Sequence, residues 1–265
     1  MKSEIIAHLP EDFPWRNSIC YFDSIDSTNS YAKRIAAEGA GNGTIVIADS
    51  QTAGRGRMGR SFHSPQQSGI YLSIILRPKC AGQDLMHLTC AVGVAMCNAV
   101  EQCCSIRPGI KWINDLVLGS KKIGGILTEL SLNANGQVDY AVVGIGINCN
   151  QPQESFPEQL QQIATSIFAV TGNSVSLPKL TAAMIVQLKA MADNLFHTQQ
   201  ATMLQYEKDC VTLQKEVVIH TSQGTKSGFA YGIDNSGGLL VRYDDGNTDI
   251  ISSGEASVRG MYGYL

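Results

Sequence analysis

The chain has 265 residues, 44% of them hydrophobic and 16% charged, with a formal net charge of −3. This suits a globular core, as one large domain or a medium domain plus a small one, and argues against a general nucleic-acid binder, whose footprint is basic. No apolar run approaches a membrane span, and residues 1–12 lack the basic-then-apolar layout of a secretory signal, so no membrane is expected and the cytoplasm is the expected location.

Residues 19–25 read as a short strand, and Asp26-Ser27-Thr28-Asn29 as helix-start chemistry. Tyr31, Ala32, Ile35 and Ala36 recur at helical spacing until Gly39 and Gly41. Residues 44–48 form a second strand. Residues 50–69 have neither helical nor strand period: Gly54, Gly56, Gly59 and Gly69 alternate with Arg55, Arg57 and Arg60, and no acidic residue intervenes. A structureless connection this long is functional or disordered. Residues 70–76 are expected as a strand of alternating character, 85–100 as a buried helix, and 110–113 as a short strand ending in Asn114-Asp115. A turn at Gly119-Ser120 leads into a strand over 122–130, and 140–147, the most apolar run, is placed at the sheet centre. Residues 160–170 and 180–196 read as helices.

The character then changes. Short strands over 216–220, 226–233, 238–243, 248–251 and 256–260 alternate with Gly/Asn/Asp turns, the signature of a small β-barrel. The fold class is therefore α+β, a mixed central sheet with helices over residues 1–212, plus a small C-terminal β-barrel over 213–265. The eight cysteines include no C-x-x-C pair and none at zinc spacing with a histidine, so reduced and mostly buried thiols are expected.

No P-loop, zinc-protease helix or nucleophile elbow is present. The glycine–arginine stretch brings backbone N–H groups and guanidinium forks to an anion; it reads equally as a basic surface loop, though Phe62 and Pro65 at its end favour a lid. Lys111-Trp112-Ile113-Asn114-Asp115 with Lys121-Lys122-Ile123-Gly124-Gly125 places lysines and amides where a phosphate and an adenine fit, or is a plain hairpin with snorkelling lysines. Gly144-Ile145-Gly146 within an apolar strand marks a close approach or a bulge. Ser27-Thr28-Asn29 is a helix cap compatible with ligand contact.

In this order, Ser27-Thr28-Asn29, Gln51-Thr52-Ala53-Gly54-Arg55-Gly56-Arg57-Met58-Gly59-Arg60, Lys111-Trp112-Ile113-Asn114-Asp115, Lys122 with Gly124-Gly125-Ile126-Leu127, and Gly144-Ile145-Gly146-Ile147-Asn148, the set resembles the biotin–protein ligase family, closely over 19–150 and loosely beyond. The resemblance implies a biotin/lipoate ligase-like catalytic domain that joins biotin to ATP, with Mg²⁺, as biotinyl-5′-AMP. The biotin then passes to a lysine of a biotin carboxyl carrier domain, that of acetyl-CoA carboxylase or a related enzyme. It implies that Ser27, Thr28, Asn29 and Gln51 face the ureido ring, and that Gly54, Arg55 and Gly56 meet biotin through the loop. Lys122, beside Gly125, would touch the carboxylate and α-phosphate, and Arg57 would retain the adenylate. Arg60, Phe62, Lys111, Trp112, Asn114, Asn148 and Arg259 fall on the nucleotide side, Lys111 as a phosphate contact, and Asp115 is the metal-linked carboxylate. Ile113 stands where the family often has proline, and Phe62 where some members have tryptophan. A lipoate or octanoate ligase shares the fold but prefers a linear chain. A biotin-responsive regulator needs a DNA-binding helix-turn-helix, for which the sequence before Ser27 leaves no room, so the shorter monofunctional type without DNA contact is expected. A basic loop holding RNA is disfavoured by the acidic balance. Sheet edges leave both a homodimer and strand docking of the carrier open.

Overall fold

The computed structural model describes residues 1–221, 224–252 and 256–260. Helix α1 (Lys2–Ala7) precedes β1 (Ile19–Phe22), α2 (Thr28–Ala37), β2 (Ile45–Ala48) and β3 (Gly69–Leu76). Then come α3 (Leu88–Cys104), β4 (Gly109–Lys111), β5 (Asp115–Leu118), β6 (Lys121–Leu132) and β7 (Val138–Asn148). Short α4 (Glu158–Gln161) and α5 (Ile167–Thr171) lead to α6 (Leu177–Asn194) and α7 (Gln199–Asp209). Five strands close the described chain: β8 (Lys215–Thr221), β9 (Gly224–Ile233), β10 (Leu239–Arg242), β11 (Thr248–Ile251) and β12 (Ala256–Gly260).

Seven strands form one sheet in the order β1-β2-β3-β7-β6-β5-β4. β1 and β2 run parallel because α2 supplies the crossover between them; the other neighbours are antiparallel. Helix α2 covers one face, laying Ala32 and Ala36 over Val46, Ile75 and Val142, and these small residues let the helix axis approach the sheet. The other face packs Ile70, Leu72, Ile74, Val143, Ile145 and Ile126 beneath α3 and α6. β3 is therefore covered on both sides. All eight of its residues are buried, and the alternating exposure expected for it is absent.

Two other expectations change. Residues 160–170 are not one helix: the backbone breaks where Lys122 bridges to Ala164, and Ser166 starts α5 by accepting the Ala169 N–H at 2.9 Å. The C-terminal strands form a sheet in the order β11-β10-β9-β8-β12, and no pairing among the described residues joins β11 to β12 to close a barrel.

Trp112 fastens this second sheet to the first. Its indole N–H donates to the Gly237 carbonyl at 2.9 Å in a buried setting, while its backbone N–H donates to Thr212 Oγ1, also at 2.9 Å. Replacing Trp112 by phenylalanine is expected to keep the packing but leave the Gly237 carbonyl unpaired, at a cost of about 1–3 kcal/mol. Chemical denaturation checks this, and an unchanged midpoint would remove the indole bond from the account.

Candidate active site

The cleft lies on the α2 face of the sheet. Because side chains alternate along a strand, that face shows Ser73 from β3, Gly144 and Gly146 from β7, and Gly125, Leu127 and Glu129 from β6. The pairing of β7 with both neighbours runs through Gly144–Ile147 without a shift, so these glycines are not a bulge. They make room: a Cβ on Gly146 would lie 2.5 Å from Phe62 Cε1, and one on Gly144 would overlap Asn29 Oδ1.

The glycine–arginine stretch is an ordered hairpin rather than a structureless connection. Arg55 pairs with Ser61, Gly56 N–H donates to the Arg60 carbonyl at 2.7 Å, and Phe62 N–H donates to the Gly54 carbonyl at 2.8 Å. The tip is a single turn, Arg57–Gly59, with Met58 at φ 54° and 71% exposed. Gly54 is buried, and a Cβ there would meet the Phe62 carbonyl and Ser64 Oγ, so only glycine permits this close pass.

Two of the three loop arginines, Arg55 and Arg57, have partners on the body. Arg57 donates to Asn114 Oδ1 at 2.9 Å, and Asn114 in turn donates to the Ile126 carbonyl at 3.0 Å. Burial lowers the Arg57 guanidinium from its ordinary value, opposed by the charge of Asp115. Arg55 is bidentate to Glu129 at 3.1 and 3.2 Å. Glu129 also receives Asn29 Nδ2 at 2.7 Å and Lys33 Nζ at 2.8 Å. Burial pushes its carboxyl up, but Lys33, Asn29 and Arg55 outweigh that and hold it below the usual carboxylate range.

A polar wall completes the site. Gln51 Oε1 accepts from the Thr28 backbone N–H at 2.9 Å and from its hydroxyl at 3.1 Å, while Gln51 Nε2 donates to Ser64 Oγ at 2.9 Å. Ser73, fully buried, places its hydroxyl 2.9 Å from Thr28 Oγ1 and 3.0 Å from Asn29 Oδ1. Ser27 caps α2, its hydroxyl accepting the Ser30 N–H at 3.4 Å. On the opposite side Lys122 Nζ lies 2.6 Å from Asp115 Oδ1 and 6.0 Å from the Phe62 ring centroid.

Ser27, Thr28, Asn29, Gln51, Arg55, Gly56, Arg57, Phe62, Asn114, Lys122 and Gly125 thus line one cleft of about 450 Å³, open to solvent. The remaining expected residues stand around it. Gly54 lies beneath the loop, and Arg60 is exposed on its far strand. Lys111 is buried on β4 opposite Asp115, and Trp112 is committed to Gly237. Asn148 ends β7 and donates to the Thr165 carbonyl at 3.0 Å. Arg259 falls in β12, and its side chain lies outside the described part of the structure. Glu129, Lys33, Ser64 and Ser73 escaped the sequence reading. A lone serine in the apolar strand β3, and a carboxylate in phase with Gly125 on β6, were the available signals.

Residues 21–148 match the model of the biotin/lipoate A/B protein ligase family, and residues 212–259 match the biotin protein ligase C-terminal domain. The bifunctional ligase/repressor BirA of Bacillus spizizenii is 36% identical over 236 residues, covering 89% of this chain and 72% of that protein. The chain belongs to the biotin protein ligase family. Another ligase of the family, the biotin–[acetyl-CoA-carboxylase] ligase of Paracoccus denitrificans, is 30% identical over 82% of this chain and 91% of that protein. Among solved structures, the biotin protein ligase of Aquifex aeolicus in complex with biotin and ATP superposes with a TM-score of 0.78 at 29% identity, covering 91% of this chain and 98% of that one. Residues from all five motif blocks thus line one cleft, with Arg55 and Arg57 fastened at either flank of it.

Proposed function

We infer that this cleft activates biotin with ATP and hands it to a carrier lysine; the protein is an ATP-dependent biotin–protein ligase. One observation carries the reading: three cations, Arg55, Arg57 and Lys122, ring a cleft whose far wall is a hydrogen-bonded set of hydroxyls and amides. A ureido ring offers one carbonyl acceptor and two N–H donors. The hydroxyls of Ser27 and Thr28 and the amides of Gln51 and Asn29 supply the matching inventory. A linear lipoyl or octanoyl chain has no use for that wall, because it would leave the polar groups unpaired.

In the first step a biotin carboxylate oxygen attacks the α-phosphorus of ATP and pyrophosphate leaves. Two anions must meet, and fixed positive charge offsets their repulsion and the charge that builds at phosphorus. We assign that work to Lys122 and Arg57, with Arg55 and Gly56 holding the biotin side through the loop. Gly125 keeps the strand clear of Lys122, since a Cβ there would lie 3.0 Å from Nζ. We assign Phe62 and Asn114 of the cleft lining to the nucleotide, and propose Lys111, Arg60, Asn148 and Arg259 as further contacts to it. In the second step the carrier lysine amine attacks the acyl carbonyl, an amide forms and AMP leaves. No protein nucleophile is required.

The donor set does not form a metal cage: among the described residues no group of three His, Cys, Asp or Glu side chains gathers to hold an ion. Asp115 is the carboxylate that would face magnesium brought with ATP, an ion that would supply charge neutralisation at the phosphates. The carrier we propose is the biotin domain of acetyl-CoA carboxylase or a related carboxylase. We also take 212/213 as the boundary between the catalytic domain and the C-terminal module.

The mixed anhydride hydrolyses in water, so a closed loop protects it. Arg57→Gly removes the contact to Asn114 at one flank of that loop. The variant is expected to keep forming adenylate while releasing it into solution. Chromatography of free biotinyl-AMP checks this, and a variant that releases none and modifies only the natural carrier would refute the retention role.

A further inference from the structure

We propose that Glu129 is a positioning residue: its carboxylate latches the glycine–arginine loop over the cleft by holding Arg55. The proposal rests on the reading that this loop closes over biotin and its adenylate.

Glu129 follows Gly125 and Leu127 in the cleft-facing row of β6, and its register partner on β7 is Val142, which lies beneath α2. It therefore sits where the cleft ends and the helix begins. Asn29 and Lys33 reach it from α2, four residues apart and so on one helix face. Arg55 reaches it from the loop with both guanidinium nitrogens, the planar two-point geometry that fixes direction as well as distance. One side chain thus joins three segments remote in sequence: the start of α2, the middle of β6 and the rising arm of the hairpin.

The arrangement is asymmetric. Arg57 fastens the hairpin at the Asn114 flank through a single bond to an amide, with the charge of Asp115 acting on it, whereas Arg55 is held at the α2 flank by a two-point ion pair. Without the carboxylate, Lys33 and Arg55 become neighbouring like charges with nothing between them, which drives the loop off the body. A glutamine keeps the volume of Glu129 but removes that attraction.

Tryptic cleavage of the full chain without substrate, with products mapped by mass, tests the latch directly, because residues 55–60 carry three arginines. Glu129→Gln should speed cleavage there on the order of tenfold. Glu129→Asp should fall between, and Lys33→Met should cleave at the wild-type rate, since it removes a partner of the same carboxylate without touching the loop. Equal rates in wild type and Glu129→Gln overturn the proposal. Equal acceleration in Lys33→Met also overturns it, because the cluster would then merely support α2. If Glu129→Gln does not fold, wild type at rising ionic strength carries the test: screening of an exposed ion pair should speed cleavage relative to a free peptide of the same sequence, and no change counts against the latch. In turnover, Glu129→Gln should raise KM for biotin and release free adenylate with little change in kcat. A wild-type protein inactive with biotin sinks the functional reading alone, because the cleavage result does not depend on it.

Discussion

Replacing Lys122 by alanine is expected to lower biotin-dependent ATP–pyrophosphate exchange by at least about a hundredfold, the usual cost of removing one preorganised charge from a developing anion. The residue is held from both ends. Its backbone N–H donates to the Ile163 carbonyl at 2.9 Å, and its carbonyl accepts from Thr165 N–H at 2.8 Å, so truncation leaves the main chain in place. Its ammonium is fixed by Asp115 at 2.6 Å and lies near the Phe62 ring. The loss is therefore of charge at the reacting centre, not of the fold. A melting curve beside the exchange assay separates the two effects. A variant that melts normally and exchanges normally would take Lys122 out of the chemistry.

The second large effect is expected from a single methyl group. Gly146→Ala places a Cβ 2.5 Å from Phe62 Cε1 and 2.7 Å from Cζ, so the ring must leave its seat. Phe62 is flanked by Tyr71, with ring centroids 6.3 Å apart, and its backbone N–H is bonded to Gly54; there is little slack for a small adjustment. Overpacking of this kind costs about 1–3 kcal/mol. Because Phe62 lines the cleft, KM for both substrates should rise, on the order of tenfold for that energy. A double-mutant cycle identifies the cause. If the clash is responsible, Gly146→Ala adds almost nothing in a Phe62→Ala background. Full additivity would mean that Gly146 acts through something other than the ring.

Glycine chemistry was the most legible part of the sequence, because a residue without a side chain at a strand centre or a tight pass has few explanations. Gly54, Gly144 and Gly146 all sit where a Cβ collides with the loop or with α2. The helix cap at Ser27 and the turn at Gly119 were equally readable, since both depend on local backbone chemistry. Tertiary context hid the rest. β3 loses its alternation because α2 and α6 cover it from opposite sides, which no window of eight residues reveals. Helix α7 has a mostly polar sequence and forms where Asp209 takes a two-point bond from Arg107, at 2.8 and 2.6 Å, an attachment 102 residues away in the chain. The 160–170 segment has helical composition, but Lys122 captures Ala164 in a bridge and cuts it. Glu129 was invisible for the same reason. A lone carboxylate in a half-exposed strand looks like a solvated face until the loop and α2 are brought to it.

Trp112 illustrates how a motif mixes roles. It stands inside one of the blocks that carry the family resemblance, yet its indole N–H is spent on Gly237 and its backbone N–H on Thr212. Asn114, two residues on, turns toward the loop and takes Arg57. Two residues of one motif, two positions apart, therefore serve the junction between the two sheets and the rim of the cleft, respectively.

The most direct test of the central claim is ATP–pyrophosphate exchange by the purified full chain with biotin, lipoate and octanoate in parallel. The account predicts exchange with biotin alone, because only its ureido ring matches the hydroxyl and amide wall built by Thr28, Asn29 and Gln51. Exchange with lipoate or octanoate, or with none of the three in folded protein, would contradict it.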